Sequence, residues 1–89
     1  MRNFLMMLVF GIILSGNLNP NTATSEQLML LPGVGVAKAQ SLMEARQKKT
    51  IQNEQDLLSV KGIGPKLVEK WKPYLIYSGA TTLKPGPNP

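Results

Sequence analysis

The hydrophobic pattern of this chain is written twice. Shifting the sequence by 29 residues places Gly33-Val34-Gly35 on Gly62-Ile63-Gly64. The same shift puts Leu28 on Leu57, Met29 on Leu58, Leu31 on Val60, Ala39 on Val68 and Leu42 on Trp71. Each copy reads as a short apolar-patterned run, a Gly-apolar-Gly turn and a longer patterned run.

Start and stop signals frame these runs as helices. Thr24, with Gln27 three residues on, resembles a capping box, and Asn53 can cap the equivalent helix of the second copy. The expected helices are Ser25–Leu31, Val36–Lys48, Glu54–Val60 and a fourth opening with Pro65 at its first position. On the second, Val36, Ala39, Leu42 and Met43 share a face, with Lys38, Gln40, Glu44 and Lys48 elsewhere. Leu67, Val68 and Trp71 form the stripe of the fourth. Trp71 stands where the first copy has Leu42, which reads as core rather than as a base-stacking platform. Pro73 discourages continuation and biases Lys72 away from helix. Tyr74, Leu75 and Ile76 are expected to return to the core. No alternating run of useful length suggests a strand, so the domain reads as all-α.

The ends differ from the middle. Arg2 and the α-amine are followed by an uninterrupted apolar run from Phe4 to Leu14, counting Gly11. A membrane span needs about 20 apolar residues, whereas the apolar region of a secretory signal takes roughly 7–15. Residues 1–16 are therefore expected to be an export signal cut after Gly16, or an uncleaved N-terminal anchor. A buried first helix would have to fit the whole run into a very small core. Residues 78–89 are rich in Pro and Gly and have Leu83 as their one large aliphatic side chain. They read as a disordered tail. The folded domain is then residues 17–77, near the lower size limit for a domain without disulfides.

Composition narrows the chemistry. The chain has 89 residues, ten basic and five acidic, for a net charge of +5, with no His and no Cys. Thiol nucleophiles, disulfides, thiolate or imidazole metal sites and Ser–His triads are excluded. No general base titrates near neutrality. Glu44, Glu54, Asp56 and Glu69 read as helix-surface or capping charges, so no catalyst and no cofactor is expected. A basic binding module with an anionic partner fits better.

The paired turns offer the means. Glycine permits positive φ and leaves backbone uncovered. With Val34 or Ile63 pointing inward, the turn amides and the first free N–H groups of the next helix face outward. The helix dipole behind them makes an anion site. Lys38, Lys61 and Lys66 lie close by and add Coulomb attraction. Two such sites at fixed separation suit a polymer with regularly spaced phosphates, hence binding without base reading. If about four phosphates are neutralised, log K should fall against log salt with a slope of roughly −3.6. Lys48 and Lys49 fit either a solvated loop or further contacts.

These residues also carry a family resemblance. The layout resembles the paired helix-hairpin-helix domain, a SAM-like or RuvA C-terminal-like compact helical fold. More narrowly, Leu18-Asn19-Pro20-Asn21-Thr22-Ala23, Leu31-Pro32-Gly33-Val34-Gly35, Asp56-Leu57-Leu58 and Val60-Lys61-Gly62-Ile63-Gly64 resemble the ComEA family of competence proteins. The resemblance covers about Leu18 to Leu75. It implies a non-specific double-stranded DNA receptor, exported to the periplasm or cell surface, that retains DNA during natural transformation beside the uptake machinery. Carried over by position, the implied DNA contacts are Gly33, Val34, Gly35, Gly62, Ile63 and Gly64, aided by Lys38, Lys61 and Lys66. Val36 replaces the more usual small residue or proline after the first turn, and Ile51 stands where an aromatic is common. The first turn has fewer lysines, which favours the second as the stronger contact. The competing expectation is an exported protein-interaction module built on the same fold.

Overall fold

The computed structural model describes residues 13–86. Residues 1–12 of the export signal expected at residues 1–16 lie outside them. The described elements are strand β1 (Leu14–Ser15), helices α1 (Ser25–Leu28), α2 (Val36–Lys48), α3 (Glu54–Leu58) and α4 (Pro65–Trp71), a 3₁₀ turn (Lys72–Tyr74) and strand β2 (Lys84–Pro85). The molecule is mostly helical, with α1 packed on α2 and α3 on α4.

Both expected caps form. The Thr24 hydroxyl accepts from the Gln27 amide at 3.1 Å, and the Gln27 side chain accepts from the Thr24 amide at 2.9 Å. The Asn53 side chain accepts from the Asp56 amide at 3.0 Å. Each cap satisfies donors that a helix start leaves orphaned.

The short helices end sooner than periodicity suggests. α1 stops at Leu28 rather than Leu31, and α3 at Leu58 rather than Val60. In both, the last bonds tighten to three-residue closures: Leu31 N–H donates to Leu28 O at 3.1 Å, and Val60 N–H to Leu57 O at 3.0 Å. The apolar residues past each helix still reach the core, because a tightened turn keeps them on the same side. Lys72 is also a correction. Its backbone is helical, and the chain continues through Pro73 as one 3₁₀ turn. Pro73 sits in the first turn, where its missing N–H costs little.

The register of 29 is a register of burial. Leu28 and Leu57, Leu31 and Val60, Val34 and Ile63, Ala39 and Val68, Leu42 and Trp71 are all buried. A fully buried aliphatic side chain stabilises a fold by about 1.5–3 kcal/mol. Trp71 is wholly enclosed, and its indole N–H donates to Pro32 O at 2.8 Å. That bond crosses from α4 to the turn of the first copy and satisfies the one polar atom of the largest core side chain.

The C-terminal segment departs from the expected disorder. Residues 78–86 fold back along the start of the domain. Leu83 is 3% exposed. The Thr82 and Leu83 amides both donate to Asn17 O, at 2.8 and 2.9 Å. Asn19 is the hub: its amide donates to Thr81 Oγ1 at 2.9 Å and its side chain to Gly79 O at 2.9 Å. β1 and β2 pair antiparallel, Leu14 opposite Pro85 and Ser15 opposite Lys84. Leu14 and Ser15 therefore belong to the fold, ahead of the expected boundary at residue 17. One anchored leucine and a set of backbone acceptors suffice to hold a segment that lacks an apolar pattern of its own.

The start of the domain is tied down elsewhere too. Leu18 pairs in parallel with Leu75, its amide donating to Tyr74 O at 2.7 Å. Asn21 grips Ile51 at both ends, accepting from its amide and donating to its carbonyl, each at 2.7 Å. The Arg46 guanidinium donates to Pro20 O and Ala23 O at 3.1 and 2.6 Å.

Candidate nucleic-acid interface

The two Gly-apolar-Gly turns share one backbone solution. Val34 N–H donates to Leu31 O at 3.2 Å, and Ile63 N–H to Val60 O at 3.1 Å, each closing a four-residue turn. The third residue of each has positive φ, +80° at Gly33 and +86° at Gly62, while no non-glycine among the described residues does. That combination is a type II turn, with Pro32 or Lys61 second and an obligatory glycine third. An L side chain in that conformation costs roughly 1–2 kcal/mol, which explains glycine at both positions.

The apolar residue of each turn points inward: Val34 is 8% exposed and Ile63 6%. The flanking glycines face out, Gly33, Gly35 and Gly62 exposed and Gly64 half-buried. Gly35 and Gly64 are the N-caps of α2 and α4, and neither makes a side-chain capping bond. A Cβ placed on Gly35, Gly62 or Gly64 would meet nothing within 4 Å. The helix-start amides thus lie open beside bare main chain. In the second copy Pro65 occupies the first helical position, so Lys66 and Leu67 supply the amides there.

The turns are neighbours. A Cβ on Gly33 would lie 2.6 Å from Leu67 Cδ2, so the first turn rests against the opening turn of α4. Their decoration differs. Lys61 and Lys66 of the second turn are exposed; their counterparts in the first are Pro32 and Ala37. Lys38 is half-buried and is the counterpart of Leu67. Leu67 covers Gly33, but nothing covers Gly62 in return. The nine expected contact positions therefore divide: Gly35, Gly62, Gly64, Lys61 and Lys66 flank open backbone, Gly33 lies against Leu67, Val34 and Ile63 are internal supports, and Lys38 stands alone beside the first turn. Sequence reading did not single out Leu67 as a cover for the first turn. The stripe of the fourth helix gives Leu67 an apolar role, but the register pairs it with Lys38 and does not show that it lies against Gly33.

Three of the five carboxylates, Glu54, Asp56 and Glu69, are held in ion pairs. Lys72 pairs with Glu69 at 3.3 Å and Glu54 at 3.7 Å, and Lys49 with Asp56 at 3.4 Å. A hydrogen bond from the Gln52 amide, opposed by desolvation and helped by Lys49, holds the Asp56 carboxyl below its ordinary pKa. The hydrogen bond to Glu69 and the charge of Glu54 hold the Lys72 ammonium above its ordinary value. Trimming acidic charge this way leaves Lys38, Lys61 and Lys66 without a carboxylate partner among the described residues.

Comparison with known proteins agrees with this geometry. A family model described as a helix-hairpin-helix motif matches residues 15–76. An uncharacterised protein of Haemophilus influenzae is 36% identical over 67 residues, covering 73% of this chain and 60% of that protein. ComE operon protein 1 of Bacillus subtilis is 42% identical over 55 residues, covering 61% of this chain and 27% of that protein. The chain thus spans less than two thirds of the length of either relative. Its turns, its register and the family match place it in the helix-hairpin-helix family, with a partial likeness to ComE operon protein 1.

Proposed function

We propose that this protein binds double-stranded DNA by its phosphate backbone, without reading base sequence, and serves as an exported receptor that retains DNA during uptake. The observation that carries the reading is the repeated type II turn. Two neighbouring turns expose glycine main chain at a helix start, each pinned by a buried Val34 or Ile63. Open amides at a helix N-terminus favour anions, and lysines beside them add attraction that is indifferent to sequence. Under this reading the domain is a tandem helix-hairpin-helix and has no catalytic step. Its carboxylates Glu54, Asp56 and Glu69 serve ion pairs and caps. The export role rests on the apolar run from Phe4 and on the resemblance to the competence family.

Gel-shift titration against unrelated duplexes at low salt tests it. Retention of all of them, with similar affinity, is the expected result. Failure to retain any, or strong preference for one sequence, refutes the reading. A second reading has its own observation: Val36 is 72% exposed and Met29 37%, an apolar margin beside the first turn suited to a docked protein. The Lys61→Glu/Lys66→Glu variant separates the two, since duplex affinity collapses under the first reading and protein docking is unaffected under the second.

A further inference from the structure

Lys48 and Lys49 are adjacent in sequence but have different fates. Lys49 is held by Asp56. Lys48, exposed in the last turn of α2, has no carboxylate within ion-pair distance among the described residues. It lines a cleft of about 450 Å³ between α2 and the approach to the second turn, together with Ser41, Glu44, Ser59 and Lys61. Lys61 belongs to both places. It is the second residue of the type II turn and also a wall of the cleft, so the two surfaces are continuous. The Ser59 hydroxyl is engaged by Asp56 O at 2.7 Å. Facing charges are Lys48, Lys49 and Lys61 against Glu44, with Asp56 already committed to Lys49. Lys48 and Lys61, both without a carboxylate partner among the described residues, line the same polar cleft, and like charges brought near each other are relieved by an anion bound between them.

We propose that this cleft is a phosphate subsite, in which Lys48 and Lys61 take a phosphate adjacent to the one at the second turn. Its biological occupant rests on the duplex-binding reading above: the subsite extends the grip along the same strand, past the hairpin. Glu44 opposes it and limits its strength.

The test has two arms, both on the full chain. In the first, inorganic pyrophosphate is titrated and backbone amide shifts are followed. The Ser41, Ser59 and Lys61 amides move in the unaltered protein, and the movement is lost in Lys48→Gln. In the second, duplex affinity is measured against salt. Losing one phosphate contact reduces the slope of log K on log salt by about 0.9. Lys48→Gln shows that reduction, Glu44→Gln binds more tightly, and Lys84→Gln, on β2 and away from the cleft, keeps the slope of the unaltered protein. Equal slopes for Lys48→Gln and Lys84→Gln, or amide shifts that survive Lys48→Gln, overturn the subsite. Pyrophosphate shifts without duplex binding uphold the subsite and refute the duplex reading instead.

Discussion

The two hairpins use the same backbone and differ in what they place on it. Both have a type II turn, a buried apolar pin and a glycine cap. Around the first turn stand Pro32, Ala37 and an exposed Val36; around the second stand Lys61, Lys66 and Pro65. The first is also bound into the fold, through the Trp71 bond to Pro32 O and the contact of Leu67 over Gly33. The second is open on the corresponding side. A duplicated layout has thus been divided: one turn is mainly braced by its partner's helix, and the other carries most of the exposed charge. Electrostatic grip and structural bracing compete for the same few positions, and the duplication lets each copy favour one.

The largest expected break in this arrangement is Trp71→Ala. Removing a buried aromatic costs about 3–5 kcal/mol. It also leaves Pro32 O without its donor, so chemical denaturation should show it at or above Leu42→Ala, the equivalent truncation in the first hairpin. Next come the turn glycines. Gly33→Ala and Gly62→Ala both force a side chain into the left-handed region, at roughly 1–2 kcal/mol. Gly33→Ala should cost more, because Leu67 must also move. Equal losses would mean that the bracing is not as unequal as described. The helix caps sharpen the comparison further. Thr24→Ala and Asn53→Ala should each destabilise by about 1 kcal/mol in thermal unfolding. Similar values would show that the copies are equivalent away from their turns.

The smallest effect concerns acid. Asp56 is held below its ordinary pKa by the Gln52 amide. A carboxyl lowered on folding contributes stability above its unfolded pKa, and that contribution fades as pH falls through the folded value. Asp56→Asn should therefore flatten the acid limb of the stability curve below about pH 4. An unchanged limb would remove Asp56 from the account.

Much of this arrangement is legible in the amino-acid sequence, because the repeat makes each assignment twice. The pairing of Leu42 with Trp71 locates the core stripe, and Gly33 with Gly62 locates the turns. What cannot be read depends on distance in sequence. The fold-back of residues 78–86 uses Asn17 and Asn19 as acceptors and donors for Gly79, Thr81, Thr82 and Leu83. Such bonds leave no periodic trace, and a two-residue ladder is too short for an alternating pattern. Arg46 reads as one more surface cation until its guanidinium is seen bonded to Pro20 O and Ala23 O. Leu67 reads as part of the apolar stripe of α4, but its contact with Gly33 in the other copy is not encoded by the register. The early ends of α1 and α3 follow from turn closure that a 3.6-residue period does not encode.

The most direct test of the central claim is the salt dependence of duplex binding for the unaltered protein, Lys38→Gln, and Lys61→Gln/Lys66→Gln. With about four phosphates held, the unaltered slope should be near −3.6, and the double variant should lose about 1.8 of it while Lys38→Gln loses about 0.9 or less. A flat salt response in the unaltered protein, or a double variant that keeps the full slope, would contradict phosphate binding centred on the second turn.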